Sequence, residues 1–592
     1  MKRRKNGLRL LTLLLALCLL CSGCVFNVPT LASSTGPVTT ELTAPTTSPV
    51  ETKTEVPTTE ATEESDDGGP VRWQDGGELR FLPHEPIQVP LSSELTYTLT
   101  TLNFEGLKAK YAALTEKTAS CDDAEELLAD YYEILPIRRK LETMNAICYF
   151  RFCRDQDSYF STKSYIFGSE MNVVQEKEAV LFAAFAASPC REELERRYFG
   201  EGFFDDYDDV TAVDETYYDL LSRAGDYSSW CKEVNDASLT SVDSYIQTHD
   251  EIGNYYVMLV RVRRQIAEAK GFETYSDYSY AKVYKRDFTP AQTREYLNDV
   301  KEYLVPLAKE LYQNHRSLYY SDCPAVKKTK LMDYLSGAAE RMGDPIREAF
   351  RFMEAYELCD ITGSSEKYPI TYTTYLPDFE APLIFLYDTS YNALCHEFGH
   401  FSDNYCTYGD RVGNDIAEIY SQAMEYLAAA YTDDFSESQR AKSLQVTLKD
   451  LLLNSVIHQA ALADFELQIY AMDPEELTLE AVDAIYAQCR QDYDIRDGLN
   501  DELGGMSWFL YTSFYDDACY NISYSVSAIA SLQICRLEAE EPGMGVDAFC
   551  RLLDRTRGKK FAFVLKEAGL DSPFEENTII RTAEFLREVL DR

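Results

Sequence analysis

Basic residues are in short supply in this chain. Among 592 residues, 57 lysines and arginines face 99 aspartates and glutamates, which gives a formal net charge of −42. A surface of that sign repels nucleic acid and anionic lipid. We therefore expect no nucleic-acid partner, and we interpret the charge mainly as a means of keeping the protein soluble.

The cysteines lack the spacing that a disulfide framework needs. Of 16 cysteines, Cys18, Cys21 and Cys24 lie near the N-terminus, which leaves 13, and no Cys-x-x-Cys motif follows Cys24. An odd number without paired spacing argues against a full set of disulfides. We expect most of these thiols to be small buried apolar groups.

The apolar run of residues 10–20 is too short to span a bilayer. It follows a basic segment and leads into Leu20-Cys21-Ser22-Gly23-Cys24, which resembles a bacterial lipoprotein signal. We predict that residues 1–23 are removed and that Cys24 carries a lipid anchor on the extracytoplasmic face of the cell membrane. An ordinary secretory signal is the alternative, and export follows from either.

The remaining chain divides into a polar tether and a helical body. Residues 24–75 are rich in Thr, Ser, Pro and Glu and cannot bury a core, so we predict a disordered tether. From about residue 95 apolar residues recur at helical spacing. We predict an N-terminal helical lobe over 76–250 and a catalytic helical lobe over 251–592.

Two short segments break the helical pattern. Ile370–Tyr375 and Pro382–Tyr387 are rich in β-branched and aromatic residues, so we predict two strands there. They lie just before the His-Glu-Phe-Gly-His segment at residues 396–400. An edge strand at this point would let an extended peptide add by main-chain hydrogen bonds.

Histidine is scarce as well, yet two of the 6 histidines fall in residues 396–400, His-Glu-Phe-Gly-His. Imidazoles four residues apart project from one side of a helix and can bind one Zn²⁺, and the intervening glutamate can take a proton from water. We predict that His396 and His400 bind zinc and that Glu397 is the general base of a peptidase. Cys395 points about 100° away around the helix, so it is not expected to be a ligand.

A third protein ligand is needed, because a catalytic zinc keeps only its fourth position open. The segment 414–425 begins with cap-type residues and continues with helical spacing, 14 residues after His400. We predict that Glu418 is the third ligand. Glu425, two turns later, and Asp415, one turn earlier, share its side of the helix, and either could orient an imidazole.

These residues resemble the thimet oligopeptidase and oligoendopeptidase F family of zinc peptidases. The His-Glu-Phe-Gly-His form is typical of that family, and Asp415-x-x-Glu418-x-x-Ser421-Gln422-x-x-Glu425 is similar to its second zinc segment. Further similar segments are residues 269–275, 284–289 and 508–524. The resemblance implies a mainly α, two-lobed fold with a deep central channel and a small β-sheet beside the metal helix. Such a channel admits short unfolded peptides and excludes folded proteins.

The chain departs from the family in one residue of the substrate-binding segment. A histidine normally opens that segment, but Ser513 stands in its place and no histidine follows His458. A donor aimed at the oxyanion is worth about 2.7–4 kcal/mol. The resemblance matches Tyr524 to a tyrosine that donates to this oxygen, and Tyr520 is a second candidate.

The leading hypothesis is a zinc-dependent endopeptidase, a monomer with one Zn²⁺, that hydrolyses short unfolded peptides. One alternative, prompted by Ser513, is a peptide-binding lipoprotein that has lost most catalysis. It is disfavoured because a pure binding protein has no use for three ligands and a general base. The other alternative is a metallocarboxypeptidase, which would remove single residues from peptide C-termini instead of making internal cuts.

Overall fold

The computed structural model of the chain describes residues 102–590, apart from 201, 208–214, 236–241, 363–366, 388, 410–412, 497–502 and 554–559. The predicted signal segment (1–23), Cys24 and the predicted tether (24–75) lie outside the described residues. Within the described ranges, no helix is both long enough and apolar enough to cross a membrane.

Three long helices form the first part of the described chain: α1 (Phe104–Thr118), α2 (Ala124–Asp155) and α3 (Ser158–Ala186). The side chains of Asn103, Asp123 and Asp157 cap them by accepting hydrogen bonds from backbone N–H groups of the first turn. Their apolar faces pack together with residues up to Phe204 into one hydrophobic core.

The following elements make up the rest of the fold. In chain order they are α4 (Arg191–Leu194), α5 (Glu215–Asn235), α6 (Val242–Ala269), α7 (Tyr275–Tyr278), α8 (Pro290–Asp299), α9 (Val305–Asn314), α10 (Arg316–Tyr319), α11 (Leu331–Met342), α12 (Ile346–Ala355), β1 (Cys359–Asp360), β2 (Tyr372–Leu376), β3 (Ala381–Phe385), α13 (Tyr391–Cys406), α14 (Asn414–Tyr431), α15 (Glu437–Asp450), α16 (Gln459–Ala471), α17 (Leu479–Asp492), α18 (Ser513–Asp516), α19 (Asn521–Glu540), α20 (Met544–Leu553), α21 (Phe561–Ala568) and α22 (Thr578–Leu590). Short π-helical segments lie at Glu195–Phe199, Ser279–Val283, Val300–Leu304 and Leu451–His458, and 3₁₀ turns at Phe203–Tyr207, Lys328–Lys330, Pro377–Phe379 and Gly504–Leu510.

A second and larger core extends from α5 to α22. Helix α2 belongs to both cores: Leu127 and Leu128 lie in the first, and Ile147 and Phe150 lie in the second. The mainly α architecture expected from the sequence is therefore confirmed. The domain boundary at residue 250 stays a prediction, and α6 runs across that position.

An apolar stripe of five residues runs along α8 and α9. Thr289 and Gln292 form a capping box at its start, with Pro290 at the first helical position. All five stripe residues are buried, namely Leu297, Val300, Leu304, Leu307 and Leu311. The π-helical segment Val300–Leu304 separates α8 from α9, a change of hydrogen bonding that apolar spacing alone does not reveal.

The cysteines behave as the sequence indicates. All 13 cysteines from Cys121 to Cys550 lie in the described part of the chain, and each is a free thiol. Eight of these thiols are buried, Cys148 and Cys535 among them. The argument against a disulfide framework is confirmed for these residues.

The strands predicted near the motif form a three-stranded sheet in the order β1-β3-β2. Strand β3 lies in the middle, parallel to β1 and antiparallel to β2, with Thr373 opposite Ile384. The predicted strands shift by one or two residues, and β1 was not predicted because two residues give too short a signal. Strand β2 is therefore an edge strand of the sheet.

A buried ion pair fastens the start of α14 to the segment before α8. The Arg286 guanidinium donates to both Asp415 carboxylate oxygens at 3.1 and 3.2 Å, and it lies 4.3 Å from the ring centres of both Tyr280 and Tyr284. Ser523 of α19 donates to the same carboxylate at 2.7 Å. Three segments of the chain therefore meet at Asp415.

We predict that Asp415→Asn lowers the free energy of unfolding by about 3 kcal/mol, because it leaves the buried Arg286 charge without its counter-ion. Asp333→Asn is the matched control, since Asp333 pairs with Lys330 on the surface and such pairs contribute about 1 kcal/mol or less. Urea unfolding measures both variants. Equal losses in the two would contradict the importance of the buried pair.

Candidate functional site

Helices α13 and α14 are antiparallel and touch backbone to backbone. Ser390 begins α13 by accepting a hydrogen bond from the Ala393 N–H at 3.1 Å. At the crossing, a Cβ atom on Gly399 would lie 2.3 Å from the carbonyl oxygen of Tyr420 and 2.6 Å from the Cα of Ser421. Only glycine permits this approach, and the side chains beside it are consequently brought close together.

The crossing brings together the three residues that were predicted as metal ligands. Nε2 of His396 and Nε2 of His400 each lie 3.7 Å from Oε2 of Glu418. The candidate ligand atoms all fall within 4.8 Å of one another. His400 and Glu418 are buried, and His396 is partly exposed.

Hydrogen bonds from neighbouring side chains orient His396 and Glu418. His396 donates from Nδ1 to Oε1 of Glu425 at 2.8 Å, and the Asn392 amide donates to the other oxygen of Glu425 at 2.7 Å. Ser421 donates to Oε2 of Glu418 at 2.9 Å. A histidine that donates through Nδ1 presents Nε2 to a metal.

Of the two carboxylates proposed to orient an imidazole, Glu425 does so and Asp415 does not. Asp415 lies ten residues before Glu425, which corresponds to about 15 Å along a helix. Its carboxylate is held by Arg286 and Ser523 instead. The sequence left both carboxylates open because helical spacing does not tell which end of α14 faces the imidazole, and the structure selects Glu425.

The two imidazoles differ in their electrostatic surroundings. Burial disfavours the charge on His396, but the hydrogen bond and negative charge of Glu425 outweigh it and raise the pKa of His396 to about 9. Burial lowers the pKa of His400 to about 4. The neighbouring carboxylates of Glu397, Glu418 and Glu425 therefore favour positive charge at His396, whereas burial keeps His400 neutral.

Glu397, the predicted general base, projects from α13 towards strand β2. Its Oε2 accepts a hydrogen bond from the Thr373 hydroxyl at 2.7 Å. Burial raises the pKa of Glu397 to about 7, with Thr373 and His396 acting in the opposite direction. A carboxylate with a raised pKa is better able to take up a proton near neutral pH.

The two predicted tyrosines lie at the start of α19, and Tyr520 contacts one of the candidate ligands. The Tyr520 hydroxyl donates to Oε1 of Glu418 at 3.4 Å, and the Tyr520 and Tyr524 rings meet edge to face at 4.9 Å. Ser513 donates to Oδ1 of Asn521 at 3.2 Å, and Asn521 donates in turn to the buried Glu466. Ser513 thus helps to hold the segment that carries the tyrosines.

A cavity of about 670 Å³ opens beside this cluster. His400 and residues 373–375 of strand β2 line one side of it. Helices of both cores line the rest, including residues of α2, α3, α5 and α6 such as Asn145, Asn172, Leu221 and Ile266. His400 of the candidate site therefore faces an open cavity between the N-terminal helices and the metal helix.

Two residues of the site were not found from the sequence. Asn392 precedes His396 by four residues, so helical spacing could have placed it on the same face. Thr373 lies 24 residues before Glu397 in the sequence, and nothing in its local pattern indicates a contact with α13. Only the packing of the sheet against the helix reveals that contact.

Comparison with known families agrees with this geometry. A family model described as the peptidase M3 N-terminal domain matches residues 94–209, and one described as peptidase family M3 matches residues 323–583. The second match contains all three candidate ligands and Glu397. The chain belongs to peptidase family M3. The resemblance seen in the sequence is thus confirmed. As a member of family M3, the protein is a metallopeptidase.

Solved structures share the fold. One, assigned as an oligoendopeptidase F, has a TM-score of 0.73 at 21% identity and covers 85% of this chain and 99% of that chain. PZ peptidase A, solved with an inhibitor, has a TM-score of 0.71 at 21% identity and covers 84% and 98%. A Bacillus anthracis str. Ames protein, also assigned as an oligoendopeptidase F, has a TM-score of 0.69 at 21% identity, covering 84% and 97%. A search of curated proteins found no match.

The donor set of the M3 chain fits a zinc ion. Two imidazole nitrogens and one carboxylate oxygen are the ligand types that catalytic zinc sites use, and they converge here within 4.8 Å. The surrounding carboxylates would offset the charge of a divalent cation. His396, His400 and Glu418 are therefore the residues that would hold it.

We predict that Gly399→Ala lowers the free energy of unfolding by about 2–3 kcal/mol, since the added methyl group forces α13 and α14 apart. Gly337→Ala is the control, because Gly337 lies within α11 and a Cβ there meets nothing within 4 Å. It should gain about 0.5–1 kcal/mol from reduced backbone entropy. Thermal unfolding compares the two, and a stable Gly399→Ala would refute the close crossing.

We predict that Glu425→Gln weakens zinc binding by about 10- to 100-fold, because the Nδ1–H of His396 loses its charged acceptor. Competition with a chelator of known affinity measures the change. Glu340→Gln, which alters a surface ion pair with Arg351, should leave zinc affinity unchanged. An unaltered affinity in Glu425→Gln would show that Glu425 does not support the ligand.

Proposed function

We propose that this M3 metallopeptidase is a zinc-dependent endopeptidase that hydrolyses short, unfolded peptides in the cavity beside α13. The observation that carries the proposal is the convergence of His396, His400 and Glu418 with the carboxylate of Glu397 next to them. A protein that only binds peptides would need neither three ligands nor a general base.

The chemistry divides between the cofactor and the side chains. When bound, zinc would polarise the scissile carbonyl and lower the pKa of a water molecule. Glu397 takes a proton from the attacking water and later delivers it to the leaving amine. Its hydrogen bond to Thr373 and its position on α13, one residue from His396, support this role.

Substrate binding would use the edge of strand β2 that has no strand partner among the described residues. Residues 373–375 of that strand line the cavity, so an extended peptide could add to the sheet through main-chain hydrogen bonds. Such pairing depends little on side chains, and it requires an unfolded segment. A cavity of about 670 Å³ favours short peptides over folded proteins.

The oxyanion that forms during attack needs hydrogen-bond donors. We assign this role to Tyr524, with Tyr520 as the second candidate, because the Tyr520 hydroxyl bonds Glu418 and the Tyr524 ring packs against the Tyr520 ring. Ser513 replaces the expected histidine and is engaged with Asn521. The phenol groups would then supply the stabilisation without an imidazole.

The site of action is proposed from the sequence alone. The basic, apolar and cysteine-ending pattern of residues 1–24 supports export and a lipid anchor at Cys24 on the extracytoplasmic face of a bacterial membrane. The chain would act there as a monomer on peptides outside the cytoplasm.

We predict that Glu397→Gln abolishes peptide hydrolysis, with a loss of at least about 10³-fold, while zinc stays bound, because the amide cannot accept the proton. Mass spectrometry of a mixed pool of short peptides incubated with the purified protein measures the products. Internal cuts that vanish in the variant support an endopeptidase.

Two other results would contradict the proposal. Loss of single residues from peptide C-termini would identify a carboxypeptidase. An uncut pool, with zinc confirmed in the protein, would favour the peptide-binding alternative, and Ser513→His would then test whether the missing histidine explains the lack of turnover.

A further inference from the structure

We propose that Thr373 is a positioning residue that fixes the Glu397 carboxylate to the strand on which the substrate lies. The proposal rests on the function proposed above and adds a residue that neither the motif nor the family match assigns. It follows from the contacts between strand β2 and helix α13.

The Thr373 hydroxyl faces two oxygens of the same residue. It lies 2.7 Å from Oε2 of Glu397 and 3.0 Å from the backbone carbonyl oxygen of Glu397. A hydroxyl group has one proton and therefore donates to one acceptor at a time. The ionised carboxylate is the stronger acceptor and the nearer one, so the Thr373 hydroxyl donates its hydrogen bond to the carboxylate.

No other side chain among the described residues hydrogen-bonds the Glu397 carboxylate. Glu397 is only 5% exposed, so few water molecules can take the place of Thr373. A glutamate side chain has three rotatable bonds, and a single strong contact at its end restricts all three. Thr373 consequently sets the direction in which the carboxylate points.

Strand β2 is itself attached firmly to the metal helix. Thr373 and Tyr375 share one face of the strand because side chains alternate. The Tyr375 ring packs against Gly409, just beyond the end of α13, where a Cβ would lie 2.2 Å from the ring. The opposite face, with Tyr372 and Leu376, is buried in the core. The strand is thus held to α13 at Glu397 and to the turn that follows the helix at Gly409.

The consequence is a fixed relation between substrate register and the general base. A peptide paired with β2 takes its position from the backbone of the strand, and the base takes its position from a side chain of that strand. A slip of one residue would move every side chain of the peptide to the opposite face. Thr373 therefore aligns the base with one peptide bond of the paired substrate.

The test compares three variants in the full chain loaded with zinc. Thr373→Val keeps the shape of the side chain and removes the hydroxyl, and Thr373→Ser keeps the hydroxyl. Thr582→Val is the matched control, since Thr582 in α22 is a buried threonine whose hydroxyl donates to the Thr578 carbonyl in the same helix. Steady-state cleavage of a quenched fluorescent peptide gives kcat and KM, and zinc content and melting temperature are measured on the same samples.

We expect Thr373→Val to lower kcat by about 10-fold or more, with KM within about twofold of the wild type and with zinc content unchanged. Thr373→Ser should retain kcat within about threefold, and Thr582→Val should behave as the wild type. A change confined to KM, or equal kcat losses in Thr373→Val and Thr373→Ser, would overturn the proposal.

Failure of the underlying function gives a different result. If the wild-type protein binds zinc and cuts no peptide, both the endopeptidase function and the positioning role of Thr373 are contradicted. If the wild type cleaves peptides and Thr373→Val cleaves them equally well, only the positioning role of Thr373 is contradicted. If Thr373→Val lost zinc or melted well below the Thr582→Val control, the hydroxyl would be structural, and that outcome also overturns the positioning role.

Discussion

The close crossing of α13 and α14 at Gly399 is the constraint on which the rest of the site depends. Because the backbone of Tyr420 and Ser421 occupies the space of a missing Cβ, the helices approach more closely than side chains would allow. Their antiparallel course then places His396 and His400 opposite Glu418, and His396 opposite Glu425. A wider crossing would separate donors that must lie within bonding distance of one ion.

Burying so many charged groups together is costly unless each has a partner. The fold meets this requirement by pairing each carboxylate with a different neighbour. Glu425 is paired with His396, Asp415 with Arg286, and Glu397 with Thr373. Glu418, like Glu397, has only neutral hydroxyl donors, Ser421 and Tyr520. Because Glu418 also lies within 4.8 Å of the ligand nitrogens of His396 and His400, a cation bound there would balance its charge directly.

The sequence was informative wherever the chemistry follows helical spacing. His396, Glu397, His400 and Glu418 could be predicted because two regular helices carry them, and the predicted strands lie within two residues of their observed places. Spacing could not choose between Glu425 and Asp415, since the choice depends on which end of α14 faces the imidazole.

Other features depend on tertiary packing and leave no local signal. Thr373 reaches Glu397 only because the sheet packs on α13, and Arg286 reaches Asp415 across more than a hundred residues of chain. The π-helical segment at Val300–Leu304 interrupts the α-helical hydrogen bonding along an apolar stripe whose spacing is typical of one continuous helix. These contacts, unlike the motif, are set by the whole fold.

The most direct measurement is X-ray diffraction at the zinc absorption edge from crystals of the zinc-loaded protein. The arrangement of α13 and α14 predicts one strong anomalous peak, bonded at about 2.0–2.2 Å by Nε2 of His396, Nε2 of His400 and a carboxylate oxygen of Glu418. A peak held by other residues, or none between these three atoms, would contradict the assignment of the metal centre.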